Sequence, residues 1–170
     1  MVYGFIKQSD GQIFISSEEG KGTTVKLLLP YSEIEPDDDV EANVSRQTGT
    51  GETILVIEDS TDVRELVVTI LERLGYRVLQ AHDGRSAMLQ FASIPEIDLV
   101  LTDVVLPGDM NGPDIAKDIQ RSRPGTKVIY MSGYAEKVEI QSSLDKKVTF
   151  INKPMRRSEL ASKVRLVLDR

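Results

Sequence analysis

Residues 52–170 predict a doubly wound α/β domain, a five-stranded parallel sheet with five helices, preceded by a short helix and hairpin. Three observations lead there. Thr53-Ile54-Leu55-Val56-Ile57, Leu99-Val100-Leu101-Thr102, Val128-Ile129-Tyr130-Met131 and Val148-Thr149-Phe150-Ile151 are short apolar runs, as buried parallel strands are. Segments with apolar residues at helical spacing separate them. Each run is followed at once by polar residues: Glu58-Asp59, Asp103, Ser132 and Lys153-Pro154. The carboxyl ends of such strands lie along one edge, where ligands bind. Three carboxylates, a hydroxyl and an amine are therefore expected to converge.

The elements follow in order. After the first strand, Ser60 can cap a helix through Val63, Leu66, Val67, Ile70, Leu71 and Leu74, and Gly75 ends it. Arg77-Val78-Leu79-Gln80 reads as a short second strand. Asp83 caps a helix carrying Ala87, Met88 and Phe91. The third strand ends at Asp103. A loop from Pro107 to Gly112 follows, and Pro113 suits the first turn of a helix with Ile115, Ala116 and Ile119. The fourth strand ends at Ser132 and precedes a weaker helix over residues 136–144. The fifth strand ends near Asn152. Ser158 to Leu168 closes the chain as an amphipathic helix with Leu160, Val164 and Leu168 inward, while Arg156, Arg157, Lys163 and Arg165 read as a solvated face. About 120 residues are enough for one hydrophobic core.

Residues 1–30 read differently. Val2 to Ser9 suggests a helix end. Gln12-Ile13-Phe14-Ile15-Ser16 and Thr23-Thr24-Val25-Lys26-Leu27-Leu28-Leu29 suggest two strands joined by Glu18-Glu19-Gly20-Lys21-Gly22. A lone hairpin is marginal in water, so this piece is expected to pack on something outside the chain or on another copy. Residues 31–51, with Glu33-Ile34-Glu35-Pro36-Asp37-Asp38-Asp39-Val40-Glu41, read as an acidic linker.

Residues 1–51 carry 4 basic and 9 acidic residues, against 17 and 18 in residues 52–170. The net charge of -6 argues against a general nucleic-acid binder. Without cysteine there is neither a disulfide framework nor a thiolate zinc site. No apolar stretch approaches the roughly 20 residues of a membrane span, and the first residues lack the pattern of a signal peptide. A cytoplasmic location is expected. His82, the lone histidine, follows the second strand, away from the polar clusters.

The convergent groups suit one chemistry. Glu58, Asp59 and Asp103 offer the hard oxygen ligands that Mg²⁺ prefers. Asp103 is a candidate nucleophile for in-line attack on a phosphoryl donor, forming an aspartyl phosphate. Lys153 can hold a phosphoryl oxygen as a point charge, and Ser132 can donate its hydroxyl to another. Lys153-Pro154 is a candidate cis bond that would aim the lysine back at the site. Singly, each residue has an ordinary alternative: a helix cap for Asp59, a loop start for Asp103, an exposed lysine, a turn serine. Their joint placement at four strand ends carries the reading.

Through Ile57-Glu58-Asp59, Leu101-Thr102-Asp103-Val104-Val105-Leu106-Pro107-Gly108, Met131-Ser132-Gly133-Tyr134 and Asn152-Lys153-Pro154, residues 52–170 resemble a response-regulator receiver domain, of flavodoxin-like fold. The resemblance implies a phospho-acceptor at Asp103 and Mg²⁺ held by Glu58, Asp59, Asp103 and the backbone carbonyl of Val105. It implies phosphate contacts from Ser132 and Lys153, and a switch formed by Ser132 and Phe150. Phe150 stands where many relatives carry Tyr; its ring can rotate but offers no phenolic hydrogen bond. The loop from Pro107 to Gly112 is one residue longer than in the simplest receivers, and Val105 is apolar where others are polar.

Met1-Val2-Tyr3-Gly4-Phe5, Glu19-Gly20-Lys21-Gly22-Thr23-Thr24-Val25 and Leu29-Pro30 resemble the end of a histidine-kinase ATP-binding domain. The Gly-rich segment, lid and Asn-bearing helix of that family are missing, so no kinase activity is expected of these residues. Together the two resemblances imply a piece of a hybrid histidine kinase.

Three functions compete. The leading one is a phosphorelay receiver that takes its phosphoryl group from a histidine kinase or histidine phosphotransfer protein and signals by protein contact. A haloacid-dehalogenase-like phosphatase would need a second carboxylate where Val105 stands. An interaction module, dimerising through residues 1–30 or the last two helices, is the third, because unpaired strand edges seek partners.

Overall fold

The computed structural model describes residues 6–7, 9–31, 49–133 and 148–170. The chain divides into two units, Met1–Asp38 and Asp39–Arg170. In the first, β1 (Gln12–Glu18) and β2 (Gly22–Leu28) form an antiparallel hairpin, with Ile13 opposite Leu27 and Ile15 opposite Val25 on one face. β1 runs two residues further than expected and β2 starts one sooner. The turn tightens because Gly20 and Gly22 take positive φ. Ile15, Val25 and Leu27 are exposed. Ile6 and Lys7 are helical, and residues 2–5 and 8 of the expected helix end lie outside the described residues.

The second unit continues with β3 (Thr53–Ile57), α1 (Thr61–Arg73), β4 (Arg77–Ala81), α2 (Gly84–Ser93), β5 (Leu99–Asp103), α3 (Gly112–Ser122), β6 (Lys127–Ser132), β7 (Thr149–Asn152) and α4 (Arg157–Leu168). All five strands are parallel, in the order β4-β3-β5-β6-β7. The sheet of the expected doubly wound fold is present. Four of its five expected helices are described, and the helix expected near 136–144 lies outside the described residues.

Strand alternation divides the core. Ile54, Val56, Leu99, Leu101, Ile129, Met131 and Ile151 pack with Val67, Leu71, Leu160 and Val164 of α1 and α4. Leu55, Ile57 and Val100 pack with Ala87 and Phe91 of α2 and Ile115 and Ile119 of α3. A third group, Val104, Ala116, Tyr130 and Phe150, fills the space toward β7. Both faces of β3 and β5 are therefore buried, which is why their sequences are continuous apolar runs.

The helix ends follow local chemistry with one correction. Asp83 and Ser86 form a reciprocal capping box on α2, and the Asn111 side chain accepts the Asp114 amide at 2.9 Å at the start of α3, with Pro113 in its first turn. Ser60 stands at the N-cap of α1, but its side chain makes no capping bond there. Gly75 leaves α1 with φ 87°.

Arg165 and Lys163 do not form the solvated face expected of them. The Arg165 guanidinium meets Glu52 at 2.7 Å and Asp169 at 2.7 Å, fastening α4 to the residue just before β3. Lys163 donates to the Phe150 carbonyl at 2.6 Å and to Glu159 at 2.6 Å. The long stems lie along the protein and bring the charged heads to fixed acceptors.

Burial opposes the charge of Glu52, but Arg165 and the backbone amides of Glu52 and Thr50 outweigh it and hold its pKa at about 2. A lowered carboxyl pKa stabilises the fold fully above the ordinary value of 4.5, and that stabilisation is lost as the pH falls toward about 2. Glu52→Gln is expected to lower Tm at pH 7 by about 3–5 °C, as for loss of an ion pair worth about 1 kcal/mol. The difference from the parent should shrink below pH 4.5. Thermal unfolding followed by circular dichroism at several pH values checks both; equal Tm values at pH 7 would contradict the clamp.

Candidate functional site

The carboxyl ends of β3, β5, β6 and β7 gather the polar groups. The topology reverses between β3 and β5: the chain steps from β3 out to β4, then returns past β3 to β5. Crevices in sheets of this kind open at that point. Glu58 and Asp59 leave β3, Asp103 ends β5, Ser132 ends β6, and Lys153 follows β7.

Carboxylate oxygens of Glu58, Asp59 and Asp103 lie within 4.8 Å of one another. An octahedral ion with bonds of about 2.1 Å spans about 4.2 Å between opposite ligands, so small rotations would seat one. Glu58 and Asp103 are buried and Asp59 is exposed, leaving one side open to solvent and ligand. The Lys153 Nζ donates to Glu58 Oε2 at 2.6 Å and to Asp103 Oδ2 at 2.7 Å. The Lys153-Pro154 bond is cis, as expected, and the Lys153 amide donates to the Ser132 carbonyl at 2.9 Å.

Three carboxylates against one ammonium leave an excess of negative charge in a mostly buried place. Burial pushes the Glu58 carboxyl above its ordinary range; the Lys153 ammonium pulls it back only in part, and Asp103 adds repulsion. Burial also disfavours the Lys153 charge, but Asp103 and Glu58 outweigh it and raise the pKa of the amine. A hard divalent cation fits this donor set in charge and in ligand type.

Ser132 supplies a second sign of fit. Its Oγ is fully buried and has no hydrogen-bond partner among the described residues. Such an orphan is rare because leaving it unsatisfied costs about 1–3 kcal/mol. A hydroxyl in that state beside Lys153 can donate to an oxygen of a bound anion.

The two remaining expected residues, Val105 and Phe150, are not carboxylates. Val105 is 56% exposed, and its amide lies 3.4 Å from Asp103 Oδ1. Phe150 is buried against Tyr130, ring centroids 5.6 Å apart and planes inclined by 31°. Burial pushes the Tyr130 hydroxyl up to about 12, so it stays protonated at neutral pH. His82 lies at the surface, 3.5 Å from Asp83.

Arg64 is a residue that motif reading passes over. From the first turn of α1 its guanidinium donates to the Glu58 carbonyl at 2.7 Å and the Asp59 carbonyl at 3.3 Å. The Glu58 amide donates in turn to the Ala81 carbonyl at 3.1 Å. The acidic turn is thus held from both sides. The available signal was a long cation one helical turn past an acidic pair.

Comparison with known proteins adds a family match. Residues 54–165 match the family model described as response regulator receiver domain. The whole chain is 37% identical, over 180 aligned residues, to the sensor kinase CckA of Brucella abortus, and spans 19% of that protein. Over 68% of its length it is 29% identical to the response regulator receiver protein CpdR of the same organism, covering 95% of it. Among solved structures, the receiver domain of the hybrid histidine kinase CckA superposes with a TM-score of 0.57 at 30% identity, covering 68% of this chain and 98% of that one.

Burial disfavours the charged form of Glu58 and raises its pKa. A carboxyl with a raised pKa favours folding at pH below its ordinary value and loses that contribution as the pH rises through the raised one. Removing the charge while keeping the shape is therefore stabilising. Glu58→Gln should raise Tm by about 3–6 °C at neutral pH in chelator-treated buffer. A lower Tm than the parent would show instead that the Lys153 pairing outweighs burial.

Proposed function

The chain belongs to the response regulator receiver family through residues 54–165, and we propose that it accepts a phosphoryl group from phosphohistidine onto Asp103. The observation that carries this reading is the Lys153 ammonium seated between Glu58 and Asp103 inside a cluster of three carboxylates. The donor is a histidine kinase or a histidine phosphotransfer protein, and the site works with Mg²⁺ on Glu58, Asp59, Asp103 and the Val105 carbonyl. When bound, Mg²⁺ supplies positive charge to the phosphoryl oxygens and offsets the acid excess.

The chain's own groups do the rest. Asp103 Oδ attacks phosphorus in line; the O–P bond forms as the N–P bond to the donor imidazole breaks, and the imidazole leaves with the bonding electron pair. Lys153 gives up part of its contact with Asp103 and turns its ammonium to a phosphoryl oxygen. Ser132 donates its unpartnered hydroxyl to a second one. The resemblance pairs Ser132 with Phe150 as a switch, and Phe150 packs on Tyr130 two residues before Ser132 on β6, a route from the site to the surface around β6 and β7. Val105 presents an apolar side chain where a phosphatase of the haloacid-dehalogenase kind would need its acid.

Residues 1–30 are proposed as the end of a kinase ATP-binding domain and residues 31–51 as an acidic linker, within a longer cytoplasmic kinase. Alignment of the whole chain with a sensor kinase supports this. The exposed apolar face of Ile15, Val25 and Leu27 favours a second role in self-association through the hairpin. Among the described residues, no helix is long and apolar enough to cross a membrane.

Incubation with acetyl phosphate and MgCl₂ should give one phosphoryl adduct by intact mass. EDTA and Asp103→Asn should each abolish it. An adduct that survives Asp103→Asn would assign the phosphoryl group elsewhere. Saturating Mg²⁺ alone should raise Tm, by about 1.4 kcal/mol of added stability at ten times its Kd, and this gain should vanish in Asp59→Asn.

A further inference from the structure

Asp103 is held from behind by two residues outside the carboxylate cluster. Gly112 opens α3 with its amide donating to the Val104 carbonyl at 3.0 Å, while the Val104 amide donates to Met131 at 3.0 Å. These bonds fold the loop after β5 back on itself and bring the Gly112 Cα against the end of the strand. A Cβ on Gly112 would fall far inside contact distance of the Asp103 carbonyl oxygen, 3.0 Å from its carbonyl carbon and 3.1 Å from Thr102 Oγ1. The φ of Gly112 is not left-handed. Glycine is needed here for space, not for conformation. On the same carbonyl oxygen, the fully buried Thr102 hydroxyl donates a hydrogen bond of 2.9 Å.

We propose that Gly112 and Thr102 are positioning residues for Asp103: the bare Cα of Gly112 and the hydroxyl of Thr102 fix its carbonyl, and thereby aim its carboxylate at Lys153 and the other two carboxylates. This rests on Asp103 being the phospho-acceptor. The Asp103 backbone has no slack. Its side chain leaves the same Cα whose carbonyl is gripped, so a methyl group at position 112 must displace the carbonyl, and the carboxylate moves with it. In-line attack tolerates little of this, since a displacement of about 1 Å can cost 10²-fold in rate.

Other glycines separate positioning from stability. A Cβ on Gly84 would meet Met110 Cβ at 3.0 Å and Ile115 Cδ1 at 3.1 Å, a packing clash away from Asp103. A Cβ on Gly125 would meet nothing within 4 Å.

The test is the initial rate of adduct formation from acetyl phosphate at saturating MgCl₂. It is read by intact mass on the full chain, at a temperature where circular dichroism shows each variant folded. Gly112→Ala is expected to slow it by about 10- to 100-fold. Thr102→Val should slow it about 2- to 10-fold, as for one lost hydrogen bond, and Thr102→Ser should restore the parental rate. Gly84→Ala should lower Tm with the rate unchanged, and Gly125→Ala should change neither.

If the parent forms no adduct, the phospho-acceptor reading fails, and the inference with it. If the parent reacts while Gly112→Ala and Thr102→Val stay within about 2-fold of it, or Gly84→Ala slows as much as Gly112→Ala, the inference alone is overturned. Should Gly112→Ala not fold, Thr102→Val against Thr102→Ser decides.

Discussion

The Lys153 ammonium, seated between two buried carboxylates, is the contact on which the rest of the site depends. Without it, Glu58 and Asp103 would lose the ammonium that both carboxylates contact, and burial would favour the neutral form of Glu58. The contact demands much of the fold. Lys153 follows β7, whereas Asp103 ends β5 and Glu58 follows β3. The amine must therefore cross the end of β6, at a spacing of about 4.8 Å per strand. β6 ends in Ser132, whose short side chain leaves that path open, and whose carbonyl anchors the Lys153 amide at 2.9 Å. Ser132 thus serves the resting arrangement with its backbone, while its hydroxyl meets no partner among the described residues.

The two edges of the sheet are satisfied to different degrees. At the amino edge charges meet partners: Arg165 with Glu52, Arg123 with the carbonyls of Phe91, Ile94 and Pro95, Lys127 with the Leu168 carbonyl. At the carboxyl edge acid exceeds base, and a buried hydroxyl has no partner among the described residues. The same strands run between the two edges, and their continuous apolar cores make each strand stiff. Electrostatic strain at one end is tolerable because the other end and the core are well made. Natural sequences break local rules mostly at functional sites, and among the described residues of the sheet the break lies at its carboxyl edge.

The strands and the charged cluster were legible because they rest on one-dimensional signals. Apolar runs at Thr53–Ile57 and Leu99–Asp103 mark strands buried on both faces. A polar residue directly after such a run has one place to go, so Glu58, Asp103 and Lys153 were placed by counting. Capping was legible where the side chain bonds its own helix, as at Asp83, and misleading at Ser60, which shares its turn with two acids. The Ser60 amide lies 3.3 Å from Glu58 Oε1, so that turn is shaped around the carboxylate rather than around the helix end.

What stayed hidden is contact with the backbone across the fold. Lys163 and Arg165 read alike in sequence, as a solvated helix face. In the fold Arg64 and Arg123 donate to main-chain carbonyls, Lys163 to a carbonyl and a carboxylate, and Arg165 to carboxylates. No periodicity encodes which carbonyl a long side chain will find, because that depends on where another element ends. Gly112 is the extreme case. It has no side chain to place and no unusual φ to betray it, and its importance is the volume that it leaves empty beside Asp103. Excluded volume between distant segments is a property of the packed chain alone. Such residues surround a functional site whose visible members are its charges, and they decide whether those charges meet at the distances the chemistry requires.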